Sequence, residues 1–419
     1  MLASRDPRLA GYVAFKYPNF VSYTAARFFM VLALEMLSVA VGWQVYDITH
    51  RAIDLGYVGL AQFLPGFALF LVGGHATDIF NRRKLLISCY AAYAICSGLL
   101  LAISLGAPRS VPLIYMVLVL MGIIRTFNFP ASRAFLPQLV PEEHFSNAVA
   151  WNASTFQMAT IAGPAVGGIV YAIARGPQLV YATAAAVAVG AVLMTLRIHP
   201  LTGSSRPKEP VNLRSVLAGF RFIWEKKVIL GSISLDMFAV LLGGAVALLP
   251  IYAKEILHTG PWGLGLLRSA PGIGAAVTAI VVAHYPIRRR AGMTMLLCVA
   301  GFGVFTIAFG VSRNLVVSLI ALFLVGGSDM VSVIIRATLV QIATPDQMRG
   351  RVNAVDMLFI GVSNELGEFE SGFTAQWFGA VPAVILGGIG TLVVIGLWAW
   401  MFPELRKADQ LTVAELMPQ

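Results

Sequence analysis

The sequence predicts an all-α membrane protein with twelve membrane-spanning helices in two parallel repeats of six. Three observations predict this fold: an apolar composition, twelve long apolar segments, and residues of the first half that recur in order in the second. Of 419 residues, 58% are hydrophobic and 12% are charged, and the mean hydropathy is +0.80. Soluble domains carry about 25% charged residues. The composition therefore indicates a chain that folds in lipid.

The twelve apolar segments are each long enough for a helix that crosses a bilayer, which takes roughly 20 mainly apolar residues. Backbone that faces lipid must satisfy its own hydrogen bonds, so each segment is predicted as helix. The predicted spans are residues 22–48, 56–76, 84–105, 112–134, 147–172, 178–197, 228–252, 262–284, 292–312, 315–337, 352–376 and 381–402. These spans leave no room for a soluble catalytic domain, and we do not expect an enzyme.

Basic residues near the span ends predict the orientation, because cytoplasmic loops carry an excess of Lys and Arg. The side of the membrane with more basic residues holds Arg5, Arg8, Lys16, Arg82, Arg83, Lys84, Arg206, Lys208, Arg214, Arg221, Lys226, Lys227, Arg288, Arg289, Arg290, Arg349, Arg351, Arg406 and Lys407. We therefore expect a multi-pass protein of the bacterial inner membrane with both termini in the cytoplasm. Basic residues near the cytoplasmic membrane surface explain the net charge of +10, so we do not expect a nucleic acid partner.

Four parts of the chain follow from this topology. Residues 1–197 form a first six-helix half, 228–402 form a second, and 403–419 form a cytoplasmic tail. Residues 198–227 are a cytoplasmic linker. Its segment from Leu213 to Trp224 has apolar residues at helical spacing with basic residues between them, which is typical of a helix on a membrane surface. A docking site for a partner protein is the alternative.

An internal repeat relates the two halves. Residues that match in order are Gly59, Leu60, Pro65 and Gly66 with Gly265, Leu266, Pro271 and Gly272, then Arg133, Ala134, Leu136 and Gln138 with Arg336, Ala337, Leu339 and Gln341, then Gly163 and Gly168 with Gly367 and Gly372. Because the order is the same in both, the repeats are parallel. Transporters built from parallel repeats bind substrate near the midplane between them, whereas two halves that only pack together are the alternative.

The loop between spans two and three reads Gly74-His-Ala-Thr-Asp78-Ile-Phe-Asn81-Arg82-Arg83-Lys84. It resembles the signature loop of the major facilitator superfamily, from which Ile79 and Asn81 depart. The resemblance implies the major facilitator fold. It also implies a cytoplasmic latch in which Asp78 sits near the start of span eleven, with Arg82 and Arg83 as gating residues. In the second copy His284 stands in the place of Asp78, which leaves a second latch doubtful.

Span five contains Gly163-Pro164-Ala-Val-Gly167-Gly168, which resembles a superfamily motif of exporters that exchange substrate for protons. Small residues allow a close helix contact, and packing alone is the alternative. Arg125 resembles the arginine of the span-four motif. A branch containing the enterobactin exporter and macrolide efflux proteins is similar at the following segments: Leu213 to Phe222, Leu235-Asp236-Met-Phe, and Arg349-Gly350-Arg351-Val352-Asn353.

Acidic residues inside the spans are candidates for proton coupling, because an ionised side chain at mid-bilayer costs roughly 2.5–3.5 kcal/mol unless it is paired, solvated or protonated. The candidates are Glu35, Asp236, Glu365 and Glu368. Glu365 and Glu368 share one helix face, and we expect them to face the central path. The alternatives are a structural network, a pair between Glu35 and an arginine such as Arg268, and a pair between Asp236 and a cytoplasmic-side arginine.

Other charged and aromatic residues are candidates for the substrate path or for gating. Arg125 and Asp329 occupy nearly equivalent repeat positions and are predicted as a gating ion pair, or as two unrelated features. Candidates for the substrate cavity are Arg27, Phe129, Arg268 and Glu370, and we expect Glu370 to pair with another helix. Arg133 and Arg336 are predicted as anchors that extend their charge to the membrane surface.

These observations predict a proton antiporter that exports an amphipathic small molecule, such as a siderophore, drug or secondary metabolite. The alternatives are a lipid or lysolipid carrier, an importer of a small solute, and a receptor or scaffold that does not transport. The expected partners are the substrate, protons and lipid, and the protein is expected to work as a monomer. Neither a phosphate-binding loop nor metal-ligand spacing occurs, so we expect no cofactor or metal.

Overall fold

The structure, a computed structural model, describes residues 11–106, 110–199, 213–287 and 290–407. The polar start of the predicted linker, residues 408–419 of the predicted tail and the side chain of Asp78 lie outside this description, as do Arg5, Arg8, Arg288 and Arg289. The elements in the described residues are helices, without a strand, and the predicted all-α membrane fold is confirmed.

Seven long helices precede the linker, after a short 3-10 turn at Val13–Lys16. They are α1 (Pro18–Thr49), α2 (Ala52–Ala68), α3 (Phe70–Ile79), α4 (Arg82–Leu105), α5 (Val111–Phe135), α6 (Phe145–Ala174) and α7 (Gln178–Leu196). Two further 3-10 turns, Leu136–Gln138 and Glu142–His144, join α5 to α6.

Eight helices follow the linker. They are α8 (Leu213–Glu225), α9 (Lys227–Gly243), α10 (Gly260–His284), α11 (Ala291–Val311), α12 (Leu315–Ala343), α13 (Asp346–Phe378), α14 (Ala380–Met401) and the short α15 (Pro403–Lys407). Between α9 and α10 the chain makes short helical turns at Val246–Leu248 and Leu249–Ile251 and a π-helical turn at Tyr252–Ile256.

Ten helical segments of the described chain are long and apolar enough to cross a membrane. Predicted spans two and eleven are the ones missing from this set. Span two is divided into α2 and α3 at Leu69, and Pro65 lies inside α2. Span eleven, α13, is long enough at 33 residues but carries many charged residues. Regular helix in span seven ends at Gly243, and the short helical turns that follow continue the membrane span to Ile256, past the predicted end at residue 252.

Packing divides the described chain into two compact units. The first comprises the described parts of Met1–Val41 and Leu64–Pro210, and the second those of Gly42–Phe63 and Val211–Gln419. The last turns of α1 and most of α2 thus pack within the second unit. A core of the second unit joins Leu235 on α9, Met295 on α11 and Leu339 on α12, which are fully buried.

Glycines bring helices α10 and α12 of the second unit into backbone contact. A Cβ atom added to Gly326 would lie 1.9 Å from the carbonyl oxygen of Pro271, and one added to Gly274 would lie 1.9 Å from that of Phe323. In the first unit, a Cβ on Gly73 of α3 would lie 2.3 Å from the carbonyl oxygen of Thr126 on α5. Small residues permit this approach, and the repeated second and fourth spans use it in both units.

Candidate functional site

A buried ion cluster joins three helices of the second unit. Arg336 on α12 forms ion pairs with Asp236 on α9, at 3.4 Å between Nη2 and Oδ2, and with Asp356 on α13. The three side chains are 4%, 8% and 18% exposed, in that order. One guanidinium thus holds two carboxylates away from solvent, where removal of either partner is costly.

Asp329 brings a third carboxyl group to this cluster. It lies two helical turns before Arg336 on α12, and its charge interacts with those of Asp236 and Arg336. Within the described residues, Arg336 is thus paired with two carboxylates, and the carboxyl group of Asp329 interacts with it electrostatically. The Nε atom of Arg336 and the Oγ atom of Ser332 are buried without a hydrogen-bond partner. The cluster therefore has an unused donor next to a surplus of carboxyl groups.

Arg336 corrects one prediction from the sequence. Its position near the end of an apolar segment indicated an anchor extended to the membrane surface, but the side chain is buried and points to two carboxylates. The attraction of Asp236 and Asp356 outweighs solvation of the charge at the surface. Of the two alternatives for Asp236, the structure has the pair with an arginine. The spacing of Asp329, Ser332 and Arg336 on one face of α12 was the available signal for this cluster.

Glu365 and Glu368 share one face of α13, as predicted. A Cβ atom on Gly59 of α2 would lie 2.7 Å from Oε2 of Glu368 and 3.6 Å from Oε2 of Glu365, so both carboxylates converge on this glycine. Glu370 points elsewhere and accepts a 2.7 Å hydrogen bond from Thr374, one turn later on the same helix. The partner on another helix that we expected for Glu370 is replaced by this local hydrogen bond.

Arg27 of α1 contacts α6 within the first unit. Its Nη1 atom donates a hydrogen bond to the side-chain oxygen of Asn152, and its guanidinium lies over the ring of Phe156 at 5.0 Å. Arg133 of α5 lies over the ring of Phe129, at 4.4 Å, and is close enough to Arg27 for their charges to repel. Two of the predicted cavity residues, Arg27 and Phe129, thus belong to one cationic and aromatic region.

The chain matches a known family and its relatives over nearly its whole length. A family model described as a transmembrane secretion effector, of the major facilitator superfamily, matches residues 10–419. The chain belongs to this family. The transporter is 29% identical over 398 residues to the enterobactin exporter EntS of Citrobacter koseri, covering 94% of each chain, and 28% identical to that of Escherichia coli O81 with the same coverage.

Solved structures show the same fold. The transporter is similar to a bacterial homologue of the human lysosomal transporter Spinster, with a TM-score of 0.69, 14% identity, and coverage of 96% of this chain and 99% of the other. It is also similar to a D-xylose–proton symporter, with a TM-score of 0.67, 15% identity, and coverage of 94% and 100%. The predicted recognition of the major facilitator superfamily is confirmed, and the protein is a multi-pass membrane transporter.

The signature loop of the transporter caps helices within the first unit. Asn81, where the chain departs from the family pattern, caps α4 by accepting a hydrogen bond from the amide of Lys84 at 3.2 Å. Arg82 donates to the carbonyl oxygen of Ala134 near the end of α5, and Arg83 donates to those of Thr195 and Leu196 at the end of α7. Cations at helix carboxyl ends are stabilising. The latch role of Asp78 stays a prediction, since its side chain is not described.

The glycine motif of α6 packs against α1 at Glu35. A Cβ atom on Gly163 would lie 2.4 Å from Cβ of Glu35, and one on Gly167 would lie 2.7 Å from Cα of Met36. Gly163, Pro164, Gly167 and Gly168 are all buried. The motif therefore forms a tight helix contact whose first glycine touches a candidate proton-coupling residue. A role of this contact in switching stays a prediction.

Replacement of Gly163 by Ala is expected to lower the thermal stability of the transporter and its transport rate. The added methyl group overlaps Glu35, and overpacking of this kind costs typically about 1–3 kcal/mol. Gly190→Ala on α7 is the matched control, because a Cβ there meets nothing within 4 Å. Thermal denaturation in detergent and transport by liposomes measure the two effects. Equal stability of both variants would contradict the helix contact.

The remaining candidate residues are distributed over both units. Arg125 on α5 is exposed in the first unit, whereas Asp329 belongs to the second, and the predicted gating pair stays a prediction. Arg268 on α10 is half-buried with its Nε atom enclosed and without a hydrogen bond, although other interactions hold the side chain. Within the described residues, no group of His, Cys, Asp and Glu side chains could hold a metal ion.

Proposed function

We propose that the transporter exports an amphipathic small molecule across the bacterial inner membrane by exchange with protons. The observation that carries this proposal is the buried cluster in which Arg336 pairs with Asp236 and Asp356, with the carboxyl group of Asp329 in electrostatic interaction with it. With all three carboxyl groups ionised, two negative charges would be uncompensated in an apolar interior, which is costly. A cluster of this composition is therefore suited to take up and release a proton.

Arg336 supports a simple coupling step. Its unused Nε donor and the nearby charge of Asp329 provide an alternative partner for the guanidinium. When a carboxyl group that holds Arg336 becomes protonated, its attraction weakens and the guanidinium shifts toward Asp329. Because the present partners lie on α9 and α13, this exchange alters the contacts that hold three helices together. Proton binding can thus bias the conformation, as alternating access requires.

The substrate class follows from the relatives. Relatives that match this chain at 28–29% identity over 94% of both chains are named enterobactin exporters. We therefore propose enterobactin or a siderophore of similar size as the first substrate to test. The proposed direction is outward, because proton exchange driven by an inward proton gradient moves the substrate out of the cell and the relatives are named exporters.

Reconstitution of the full chain in liposomes tests the exchange. A pH gradient is imposed, enterobactin is added on both sides, and a pH-sensitive dye reports proton flow. Enterobactin is expected to accumulate in the more acidic compartment, since protons and substrate move in opposite directions. Movement of enterobactin that is independent of the pH gradient would contradict proton antiport, and absence of movement would contradict the substrate.

Asp329→Asn is expected to reduce this accumulation to that of liposomes without protein. The amide keeps the size of the side chain but cannot exchange a proton or attract Arg336. Glu404→Gln is the matched control, because Glu404 lies in a surface ion pair with Lys227 at 3.6 Å and its side chain is 44% exposed. Unchanged accumulation by Asp329→Asn, with folded protein shown by gel filtration, would move Asp329 out of the coupling mechanism.

A further inference from the structure

The ends of spans one and seven share a short sequence pattern. Span one ends in Asp47-Ile48-Thr49-His50, and span seven ends in Glu255-Ile256-Leu257-His258. Both histidines have a φ angle of 51°, which is uncommon for a residue other than glycine. A residue in this left-handed conformation commonly ends a helix. The same pattern therefore ends both spans with the same backbone conformation, which extends the internal repeat to spans one and seven.

Side chains of these two ends contact each other in a reciprocal way. In the register that matches the two histidines, Tyr46 is equivalent to Lys254, and Asp47 is equivalent to Glu255. Lys254 donates a 2.6 Å hydrogen bond to Asp47. Tyr46 donates its hydroxyl hydrogen to Glu255. The repeat converts one contact into the other, as a two-fold axis does at an interface between identical subunits. These four residues form the reciprocal contact.

The reciprocal contact has a defined geometry but remains partly open to water. The Nζ atom of Lys254 lies 5.7 Å from the ring centroid of Tyr46 in addition to its bond with Asp47. The side chains of Lys254 and Asp47 are 25% and 41% exposed. Ion pairs with this degree of exposure contribute little stability, because water can replace each partner. The contact therefore specifies one arrangement of the two ends and can still open readily.

The span-seven side of the reciprocal contact is anchored to α11. Lys254 and Glu255 lie in the π-helical turn Tyr252–Ile256, and such turns are rare and frequent at functional sites. Tyr252 is fully buried, and its hydroxyl group donates a 3.0 Å hydrogen bond to the carbonyl oxygen of Gly310. Its ring also packs on that of Phe309 at 4.4 Å between centroids. The turn thus has a fixed place, and the reciprocal contact attaches the end of α1 to it.

The place of the reciprocal contact in the topology connects it with transport. The ends of spans one and seven lie at the same face of the membrane, opposite the linker, because six crossings of the twelve-span topology separate them. Span one belongs to the first repeat and span seven to the second. In transporters built from repeats, the repeats move against each other and expose the central path to either face in turn. A contact that joins a span of each repeat must break when the path opens at its own face.

We propose that Tyr46, Asp47, Lys254 and Glu255 are gating residues, and that their reciprocal contact closes the transport path at the face opposite the linker. The contact breaks when this face opens. Both hydrogen bonds form again only when the two ends return to one relative position, which gives the closed state a single geometry. The inference goes beyond the proposed function, because it requires neither proton exchange nor a particular substrate.

A cysteine in place of Gly42 reports whether the contact is closed. Gly42 is buried one helical turn before Tyr46, and a Cβ there would lie 3.6 Å from the ring of Pro250 in span seven, an ordinary contact. The measurement is the rate at which N-ethylmaleimide alkylates this cysteine in the purified full-length protein in detergent. Mass spectrometry of the peptide that contains residue 42 separates it from the three native cysteines. We expect slow alkylation.

Charge reversal opens the contact. Asp47→Lys in the Gly42→Cys protein is expected to raise the alkylation rate at least about tenfold, because two like charges then face each other, and Lys254→Asp is expected to do the same. The double variant restores an opposite pair and should return the rate to that of Gly42→Cys alone. Lys227→Asp is the matched control, because it reverses a charge in the ion pair with Glu404 at the start of α9, and no change is expected.

Thermal denaturation separates gating from a purely structural role. Since the ion pair is partly exposed, the unfolding midpoints of the single variants are expected to stay close to that of Gly42→Cys. Fast alkylation of Gly42→Cys alone, equal rates in all variants, no restoration in the double variant, or a rise matched by a large fall of the midpoint would each overturn the proposal. The rates are measured without substrate or pH gradient, so they do not depend on whether enterobactin is exchanged for protons.

Discussion

Replacement of Arg336 by Met is expected to destabilise the transporter strongly, by about 3–5 kcal/mol, the typical cost of breaking a buried ion pair. The change removes the guanidinium and leaves Asp236 and Asp356 in a site where the arginine side chain is only 4% exposed. The measurement is the midpoint of thermal denaturation of the purified protein in detergent. If the Arg336→Met variant unfolds at the same temperature as the native protein, the cluster is unimportant for stability.

Arg133→Met is the matched control for this prediction, since the repeat places Arg133 at the position of Arg336. Its side chain is exposed and lies over Phe129, and no large loss of stability is expected. A triple variant with Met at 336 and Asn at 236 and 356 removes the uncompensated charges as well. It is expected to regain much of the lost stability but not proton-driven transport, which separates the two roles of the cluster.

Gly326→Ala is expected to have the second large effect, a loss of about 1–3 kcal/mol or more from overpacking. The new methyl carbon would lie 1.9 Å from the carbonyl oxygen of Pro271 and 2.6 Å from its Cα atom. Backbone cannot rotate away as a flexible side chain can, so α10 and α12 must separate. The intrinsic helix preference for Ala over Gly, up to about 1 kcal/mol, is too small to offset this overlap.

Gly396→Ala on α14 is the control, because a Cβ there meets nothing within 4 Å. Its expected effect has the opposite sign, a small gain in stability from helix preference alone. Thermal denaturation of the two variants beside the native protein measures both. A stability of Gly326→Ala equal to or above that of Gly396→Ala would show that the two helices do not require this close approach.

Predictions from local patterns were correct where helix geometry and residue size decide the outcome. Gly163 at a helix crossing and the shared face of Glu365 and Glu368 each follow from helix geometry and side-chain size. The division of the second span at Leu69 was not predicted. The predicted end of span seven at residue 252 lies within the membrane span Lys227–Ile256, but regular helix ends at Gly243 and shorter helical turns follow it. Hydropathy reports solvent preference and is insensitive to such breaks.

The partners of charged side chains were less predictable. Arg336 was expected at the membrane surface and is buried, and Glu370 was expected to reach another helix but is hydrogen-bonded to Thr374. Asn152 and Phe156 contact Arg27, but as single residues in an apolar helix they carry no sequence pattern that indicates this contact. An ion pair between helices depends on their rotation and depth, which hydropathy along one helix does not specify.

The amino-acid sequence by itself determined that this chain is helical, spans the membrane many times and contains two related halves, because lipid admits few backbone conformations and a duplicated pattern is visible in one dimension. The tertiary structure alone decided that equivalent arginines in the two halves have opposite environments. Arg336 is buried and paired with carboxylates from two other helices, whereas Arg133 is exposed and lies over the ring of Phe129. Coulomb interactions depend on distance in space, and residues distant in sequence become neighbours only when the helices pack.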